Sequence, residues 1–271
     1  MKIRNRSEAA VAASTTHQPP RVSMRGITKR FGSIEALRGV DLDLMPGECL
    51  GIVGDNAAGK STLTKILSGA YLPDQGTIRI NGMEATYRSP AEARQQRIEM
   101  VYQDLSLCDT IDVTGNLFLG REKFKGAPMF GFLAKQRMEV EARQMLDTLE
   151  IKIPRMSATV AQLSGGQRQS IAVARAVAFE PEVLIMDEPT SGLAVAEVEA
   201  VLAVIQRVKL RGVSVVLITH RLQDLFRVCD RIAVMYEGTK VAERLISQTD
   251  LTEIIKLIVG EGHVERRETA A

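Results

Sequence analysis

Short apolar runs recur along the chain and alternate with longer stretches that have helical periodicity. A run of about four to eight apolar residues bounded by polar or turn residues is typical of a buried β-strand. The alternation of such runs with helical patterns predicts an α/β fold with a largely parallel sheet. The predicted strands are residues 42–44, 49–53, 77–80, 98–102, 183–187, 214–219 and 231–236.

Two of the longer stretches carry their apolar residues on one helical face. Residues 135–150 and 197–210 both repeat apolar side chains at intervals of three and four, which predicts amphipathic helices packed on the core. The segment from about 104 to 159 lacks strong buried-strand runs. It is therefore predicted to be a mostly helical insertion between strands of the α/β part.

Composition narrows the class of protein. The 271 residues are 45% apolar and 25% charged, enough for one large domain or two small ones. A formal charge of +2, with no Trp and 4% aromatic residues, gives no sign of a nucleic-acid partner. The longest apolar stretches fall far short of the roughly 20 residues that span a bilayer.

The two ends and the cysteines add little chemistry. Residues 1–20 are predicted to be a disordered N-terminal tail, and residues 247–271 a helix followed by a flexible tail. Cys49, Cys108 and Cys229 are odd in number and form no CxxC pair. This pattern argues against a disulfide framework or a zinc site and favours a reducing cytosol.

A glycine-rich motif follows the predicted strand 49–53 directly and precedes a helix-like stretch. It matches G-x-x-x-x-G-K-[ST], the loop whose backbone N–H groups cradle phosphates. In that role Lys60 neutralises β/γ-phosphate charge and Ser61 binds Mg²⁺. This phosphate loop consists of Gly54, Asp55, Asn56, Ala57, Ala58, Gly59, Lys60, Ser61 and Thr62.

The apolar strand 183–187 ends in two acids, Asp187 and Glu188. A strand of this kind brings a carboxylate to the carboxyl edge of a buried sheet. We expect Asp187 to lie near Mg²⁺ and Glu188 to act as a general base or to orient the attacking water. An isolated acid pair at a strand end can also be a solvated turn.

A second helix start rich in small residues lies upstream of the acid pair. Leu163 is followed by Ser164, Gly165, Gly166 and Gln167, and then by a helix-like stretch. Small residues at a helix N-terminus allow close approach to an anion. One nucleotide cannot occupy two phosphate cradles of one chain.

At this motif the sequence resembles the ATP-binding-cassette family, whose signature is LSGGQ. The resemblance covers about residues 21–246 and implies an ABC ATPase domain. It implies a P-loop NTPase fold with a RecA-like parallel-sheet core, a small antiparallel β part and a helical subdomain inserted at about 104–159. Two copies would pair head to tail. Ser164, Gly165 and Gly166 of the signature segment (residues 163–167) in one copy would touch the γ-phosphate held by Lys60 of the other, and Gln167 is assigned to the same nucleotide site.

The resemblance assigns roles to three further residues. Phe31 is similar to the aromatic residue that stacks on adenine, although an ordinary core Phe would look the same in sequence. Gln103 is similar to the glutamine that contacts Mg²⁺ and the attacking water and senses the transmembrane partner. His220 is similar to the switch histidine that binds the γ-phosphate, whereas a lone His at a strand end is usually a surface residue.

Two positions depart from the family pattern. Ala194 stands where most members carry an Asp that couples the two sites across the dimer, which puts coupling or rate in doubt. Ala57 stands where Gly is frequent. That exchange is harmless only if Ala57 keeps a negative φ.

Residues 103–122 resemble the monosaccharide branch of bacterial importers, ribose and fructose types included. The resemblance implies the ATPase subunit of such an importer, a translocase at the cytoplasmic face of the cell membrane. Its partners would be a second copy, permease subunits and, indirectly, an extracytoplasmic sugar-binding protein. Three alternatives stay open: a cassette for another solute or for export, a soluble non-transport ATPase, and a regulatory module that hydrolyses ATP poorly.

Overall fold

The computed structural model describes residues 19–125 and 131–260. The predicted tails at residues 1–20 and after residue 260 therefore lie mostly outside the described residues. The strands are β1 (Val22–Phe31), β2 (Ile34–Leu44), β3 (Cys49–Val53), β4 (Gln75–Ile80), β5 (Met83–Glu84), β6 (Ile98–Val101), β7 (Phe124–Lys125), β8 (Phe132–Leu133), β9 (Val183–Asp187), β10 (Ser214–Ile218), β11 (Arg231–Tyr236) and β12 (Thr239–Leu245). The helices are α1 (Lys60–Leu67), α2 (Pro90–Gln95), α3 (Val113–Phe118), α4 (Lys135–Thr148), α5 (Gly165–Val177), α6 (Val195–Leu210), α7 (Leu222–Val228) and α8 (Leu251–Ile258).

The largest sheet has the strand order β12-β11-β3-β10-β9-β6 and is parallel except for β12 at one edge. Strands β3 and β10 are buried at every residue because helices or the second sheet cover both faces. Such strands read as continuous apolar runs, which is why the sequence reveals them. Because parallel strands share a direction, the segments that follow β3, β6, β9 and β10 emerge at one edge.

A smaller antiparallel sheet, with the order β2-β1-β4-β5, lies beside α1. Met24 and Ile27 from β1 share an apolar cluster with Leu63 and Ile66 from α1. The predicted α/β class, with its parallel core and small antiparallel part, is confirmed.

The segment between β6 and β9 contains α3, α4 and α5, together with the short hairpin β7–β8. Asn116, fully buried in α3, donates to the carbonyl of Cys108 at 2.9 Å and accepts from the Cys108 N–H at 2.8 Å. These two bonds tie α3 to the loop that leaves β6. The predicted boundaries of the ABC ATPase domain and its helical subdomain, at residues 20, 104, 159 and 246, stay predictions.

The last helix, α8, packs Ile254 into the main core. None of the helices in the described ranges is long and apolar enough to cross a membrane.

Candidate active site

The phosphate loop joins β3 to α1 and is packed closely against neighbouring backbone. Gly54 has a φ of 148°, and a Cβ there would lie 2.1 Å from the carbonyl oxygen of Met235. Gly59 has a φ of 97°, and its Cβ would lie 2.7 Å from the carbonyl oxygen of Ala36. Only glycine fits at both positions, so both motif glycines are required by backbone packing as well as by conformation.

Ala57, at the tip of the loop, has a φ of 67°. The condition under which this alanine would be harmless, a negative φ, is therefore not met. Alanine adopts the left-handed conformation only at a cost, since its Cβ crowds the following carbonyl. The loop therefore has the left-handed turn that a glycine would adopt without cost, and the backbone is strained at Ala57.

Lys60 begins α1 and folds back over the loop. Its Nζ donates to the carbonyl of Gly54 at 2.7 Å and to that of Asp55 at 2.8 Å. Burial lowers the Lys60 pKa, and the nearby carboxylates of Glu188, Asp55 and Asp187 oppose this shift. The ammonium thus contacts the loop and lies near the acid pair, and its role toward the β/γ-phosphates stays a prediction.

The start of α1 fits a bound phosphate. Its N-cap Gly59 offers no side-chain acceptor, and its first turn contains no acidic residue. The first N–H groups of the helix are therefore left for an external anion, and the adjacent Lys60 ammonium adds positive charge.

Asp187, at the end of β9, meets α1 directly. Burial raises the Asp187 pKa, while the Lys65 and Lys60 charges and a hydrogen bond from the Ser61 hydroxyl pull it down. A hydroxyl beside a carboxylate is a donor set that suits Mg²⁺. Lys65 was not predicted as a site residue, because it lies outside the motif and only the turn of α1 brings it to the acid.

Glu188 and His220 contact each other across the ends of β9 and β10. The Glu188 carboxylate accepts the His220 backbone N–H at 3.1 Å, and its Oε2 lies 2.8 Å from His220 Nδ1. Glu188 has a left-handed φ of 51°, and its N–H donates to the Ile218 carbonyl at 2.8 Å. Because Nδ1 faces Glu188, the exposed His220 ring leaves Nε2 for a ligand.

A buried contact that the sequence did not reveal supports this pair. Thr190, which follows the Glu188 turn, donates its hydroxyl to Asp224 on α7 at 2.7 Å. Thr190 is 1% exposed and Asp224 is 2% exposed. The bond joins the segment after Glu188 to the helix after His220. It therefore helps to fix the positions of Glu188 and His220 relative to each other.

Phe31 ends β1 and is 43% exposed, so it is not a core residue. Its ring meets Tyr71 edge to face with centroids 5.3 Å apart, and Lys29 Nζ lies 5.6 Å from its centroid. An exposed aromatic face of this kind is available for stacking on a base. Tyr71 was not predicted.

Gln103 is exposed, two residues beyond β6, and forms no hydrogen bond with the described part of the chain. In the register of β6 with β9, Val101 pairs with Met186. Extending that register by two residues brings Gln103 level with Glu188. Gln103 therefore lies at the same sheet edge as Glu188, and its role toward Mg²⁺ and the attacking water stays a prediction.

The signature segment lies against α6. Ser164 is the N-cap of α5, and its backbone N–H donates to the Gln167 side chain at 3.1 Å. A Cβ on Gly165 would lie 2.7 Å from Leu193, and one on Gly166 would lie 2.7 Å from Glu197. The two glycines therefore permit close packing of α5 on the start of α6.

The fold and the loop define a P-loop nucleotide-binding cassette, and residues 37–191 match the family model described as ABC transporter. The chain belongs to this family. It is 42% identical over 258 residues to the fructose import ATP-binding protein of Rhizobium meliloti, covering 94% of this chain and 99% of that protein. The predicted enzyme class, an ATPase, is confirmed by these matches.

Two further comparisons define the extent of the similarity. The ribose import ATP-binding protein of Geobacillus kaustophilus is 41% identical over 246 residues, which are 90% of this chain but 49% of that protein. The chain thus spans about half the length of that relative. A nucleotide-free ATP-binding cassette from an ABC transporter superposes with a TM-score of 0.75 at 26% identity, covering 89% of this chain and 95% of that one.

Proposed function

We propose that this chain is the ATP-hydrolysing subunit of a bacterial importer and energises the uptake of a monosaccharide through a separate permease. The observation that carries the proposal is the single sheet edge at which Lys60, Asp187 and the Glu188–His220 pair meet. The near full-length similarity to a fructose import ATP-binding protein supports sugar as the class of solute.

The chain's own groups divide the work at this edge. The phosphate-loop N–H groups and Lys60 bind and orient the triphosphate, and Phe31 stacks on the adenine. Ser61, Gln103 and Asp187 are the residues that would hold Mg²⁺, which when bound neutralises phosphate charge. Their fit rests on the Ser61 hydroxyl, which already contacts the Asp187 carboxylate.

Glu188 is placed to take the proton from the attacking water. Its side chain is 17% exposed, so water reaches a carboxylate that the protein otherwise holds in place. His220 orients that carboxylate through its backbone N–H and Nδ1. Its Nε2, which does not face Glu188, would bind the terminal phosphate.

A second copy of the chain completes each site. Ser164, Gly165 and Gly166 contact α6 of their own chain, and none of their described contacts includes a phosphate-loop residue. A head-to-tail pair brings this segment to the phosphate held by Lys60 of the partner. Closure of the pair on ATP and its reopening after hydrolysis would move the permease.

In this account the chain lies at the cytoplasmic face of the cell membrane as a peripheral subunit. It contacts permease subunits directly and an extracytoplasmic sugar-binding protein indirectly, and it binds no nucleic acid. The same cassette chemistry would serve a transporter for another solute or for export, so the partner decides between these functions.

Affinity purification of the full chain from gently solubilised native membranes tests this proposal. A tagged Glu188→Gln variant, which we expect to bind ATP but hydrolyse it slowly, is purified with ATP beside the wild type. Lys60→Ala, which we expect to bind ATP weakly, is the control. We expect a polytopic permease and a sugar-binding protein to be recovered and identified by mass spectrometry. Recovery of ribosomes or DNA-repair proteins without a permease would contradict the transport function.

A further inference from the structure

The carboxylate of Glu197, in the first turn of α6, occupies the N-terminus of the signature helix α5. Its Oε1 accepts the Gly166 N–H at 3.2 Å, and its Oε2 accepts the Ala194 N–H at 3.1 Å. It also accepts a hydrogen bond from the Ser164 hydroxyl. Two of these three donors belong to the segment that we assign to the partner's phosphate.

The surroundings of Glu197 explain why it lies there. Ala194, the N-cap of α6, has no side-chain acceptor, so the Glu197 carboxylate caps α6 by reaching back to the Ala194 N–H. Gly166 lets α5 approach so closely that its N–H also meets this carboxylate. A single side chain therefore caps two helix starts.

Glu197 is an anion at neutral pH. The Ser164 hydroxyl, the Ala194 and Gly166 N–H groups and the charge of Arg168 hold its pKa below the ordinary value for a glutamate. The residue is partly exposed, so its carboxylate can move into solvent without burial of an unpaired charge. Arg168, on α5, is a nearby cation for the displaced carboxylate.

We infer that the Glu197 carboxylate occupies the place of a phosphate group at the start of α5. It accepts the hydrogen bonds of Ser164 and Gly166 until ATP bound to a second copy displaces it. The inference rests on the proposed head-to-tail pairing. A phosphate and a carboxylate cannot share these donors, and their like charges repel at hydrogen-bond distance. Glu197 thus raises the ATP concentration at which two copies pair and disfavours pairing without ATP.

Pairing is measured by sedimentation velocity on the full chain over a range of ATP concentrations, with ATP binding followed in parallel by calorimetry. All variants carry Glu188→Gln so that ATP persists. Glu197→Gln keeps the shape of the side chain and removes its charge. Glu199→Gln, in the same helix but paired with Arg227, is the matched charge control. Ser164→Ala removes a donor to the phosphate.

We expect Glu197→Gln to lower the ATP concentration for half-maximal pairing roughly three- to tenfold, a smaller effect than that of a buried charged contact because Glu197 is partly exposed. Glu199→Gln should leave it unchanged, and Ser164→Ala should raise it. The direction is informative, because damage to the fold would weaken pairing.

Two results would overturn the inference and leave the proposed function standing. One is an unchanged or higher midpoint in Glu197→Gln while Ser164→Ala weakens pairing. The other is an equal gain in Glu199→Gln, which would indicate a general effect of charge. Absence of pairing in the Glu188→Gln parent at saturating ATP would overturn the proposed pairing, and this inference with it.

Discussion

Ala57 holds a left-handed backbone conformation in the phosphate loop, and replacing it with glycine should stabilise the protein. Relief of the left-handed conformation is worth about 1–2 kcal/mol. The greater freedom of glycine in the unfolded chain costs about 0.4–1 kcal/mol. The net gain in the free energy of unfolding from Ala57→Gly is therefore expected to be about 0.5–1 kcal/mol.

The adjacent Ala58 provides a matched control. Ala58 is 3% exposed and has a negative φ, so Ala58→Gly relieves no strain. It loses a buried methyl group worth about 0.8 kcal/mol and incurs the same cost of chain freedom, a loss of about 1–2 kcal/mol in all. The two alanine-to-glycine variants should thus lie on opposite sides of the wild type.

Thermal unfolding followed by circular dichroism measures this difference. A gap of about 2 kcal/mol corresponds to unfolding midpoints about 4 °C apart in a chain of this size, with Ala57→Gly highest and Ala58→Gly lowest. If Ala57→Gly unfolds at or below the wild-type midpoint, the left-handed alanine is not a source of strain and the reasoning is refuted.

Three further predictions concern binding, stability and reactivity. Lys60→Ala should weaken ATP binding about 10- to 100-fold in calorimetry, because a charged contact to phosphate is lost; equal affinity would contradict its role. Thr190→Val should lower the free energy of unfolding by about 1–3 kcal/mol in urea titrations, since the buried Asp224 loses a donor. A hydrogen bond from the Thr110 hydroxyl lowers the Cys108 pKa, so iodoacetamide should label Cys108 before the two buried cysteines, as mass spectrometry would show.

The central strands can be predicted from the sequence because both of their faces are covered, which makes each of them a continuous apolar run. The predicted strands 49–53, 183–187 and 231–236 coincide with β3, β9 and β11. The prediction missed β1, in which the alternation of apolar residues breaks at Gly26, where the register with β2 shifts. It also missed β12, an edge strand whose residues are only partly buried.

The candidate site, like the fold, has features that the sequence predicts and others that it does not. The phosphate loop, the acid pair and His220 each lie at or directly after the end of a predicted parallel strand. Their positions in the sequence are therefore enough to predict that they meet at one edge of the sheet. The bond between Thr190 and Asp224 and the contact of Gly166 with Glu197 join residues 34 and 31 positions apart. No local pattern marks such pairs, because each contact forms only when segments distant in sequence pack together.

The proposed mechanism depends above all on Glu188 acting as the general base of ATP hydrolysis. Single-turnover release of phosphate from bound ATP tests it most directly, with wild type and Glu188→Gln compared at equal nucleotide occupancy. We expect unchanged ATP affinity and a rate lower by about 10²-fold or more in Glu188→Gln. Phosphate release at the wild-type rate by that variant would contradict it.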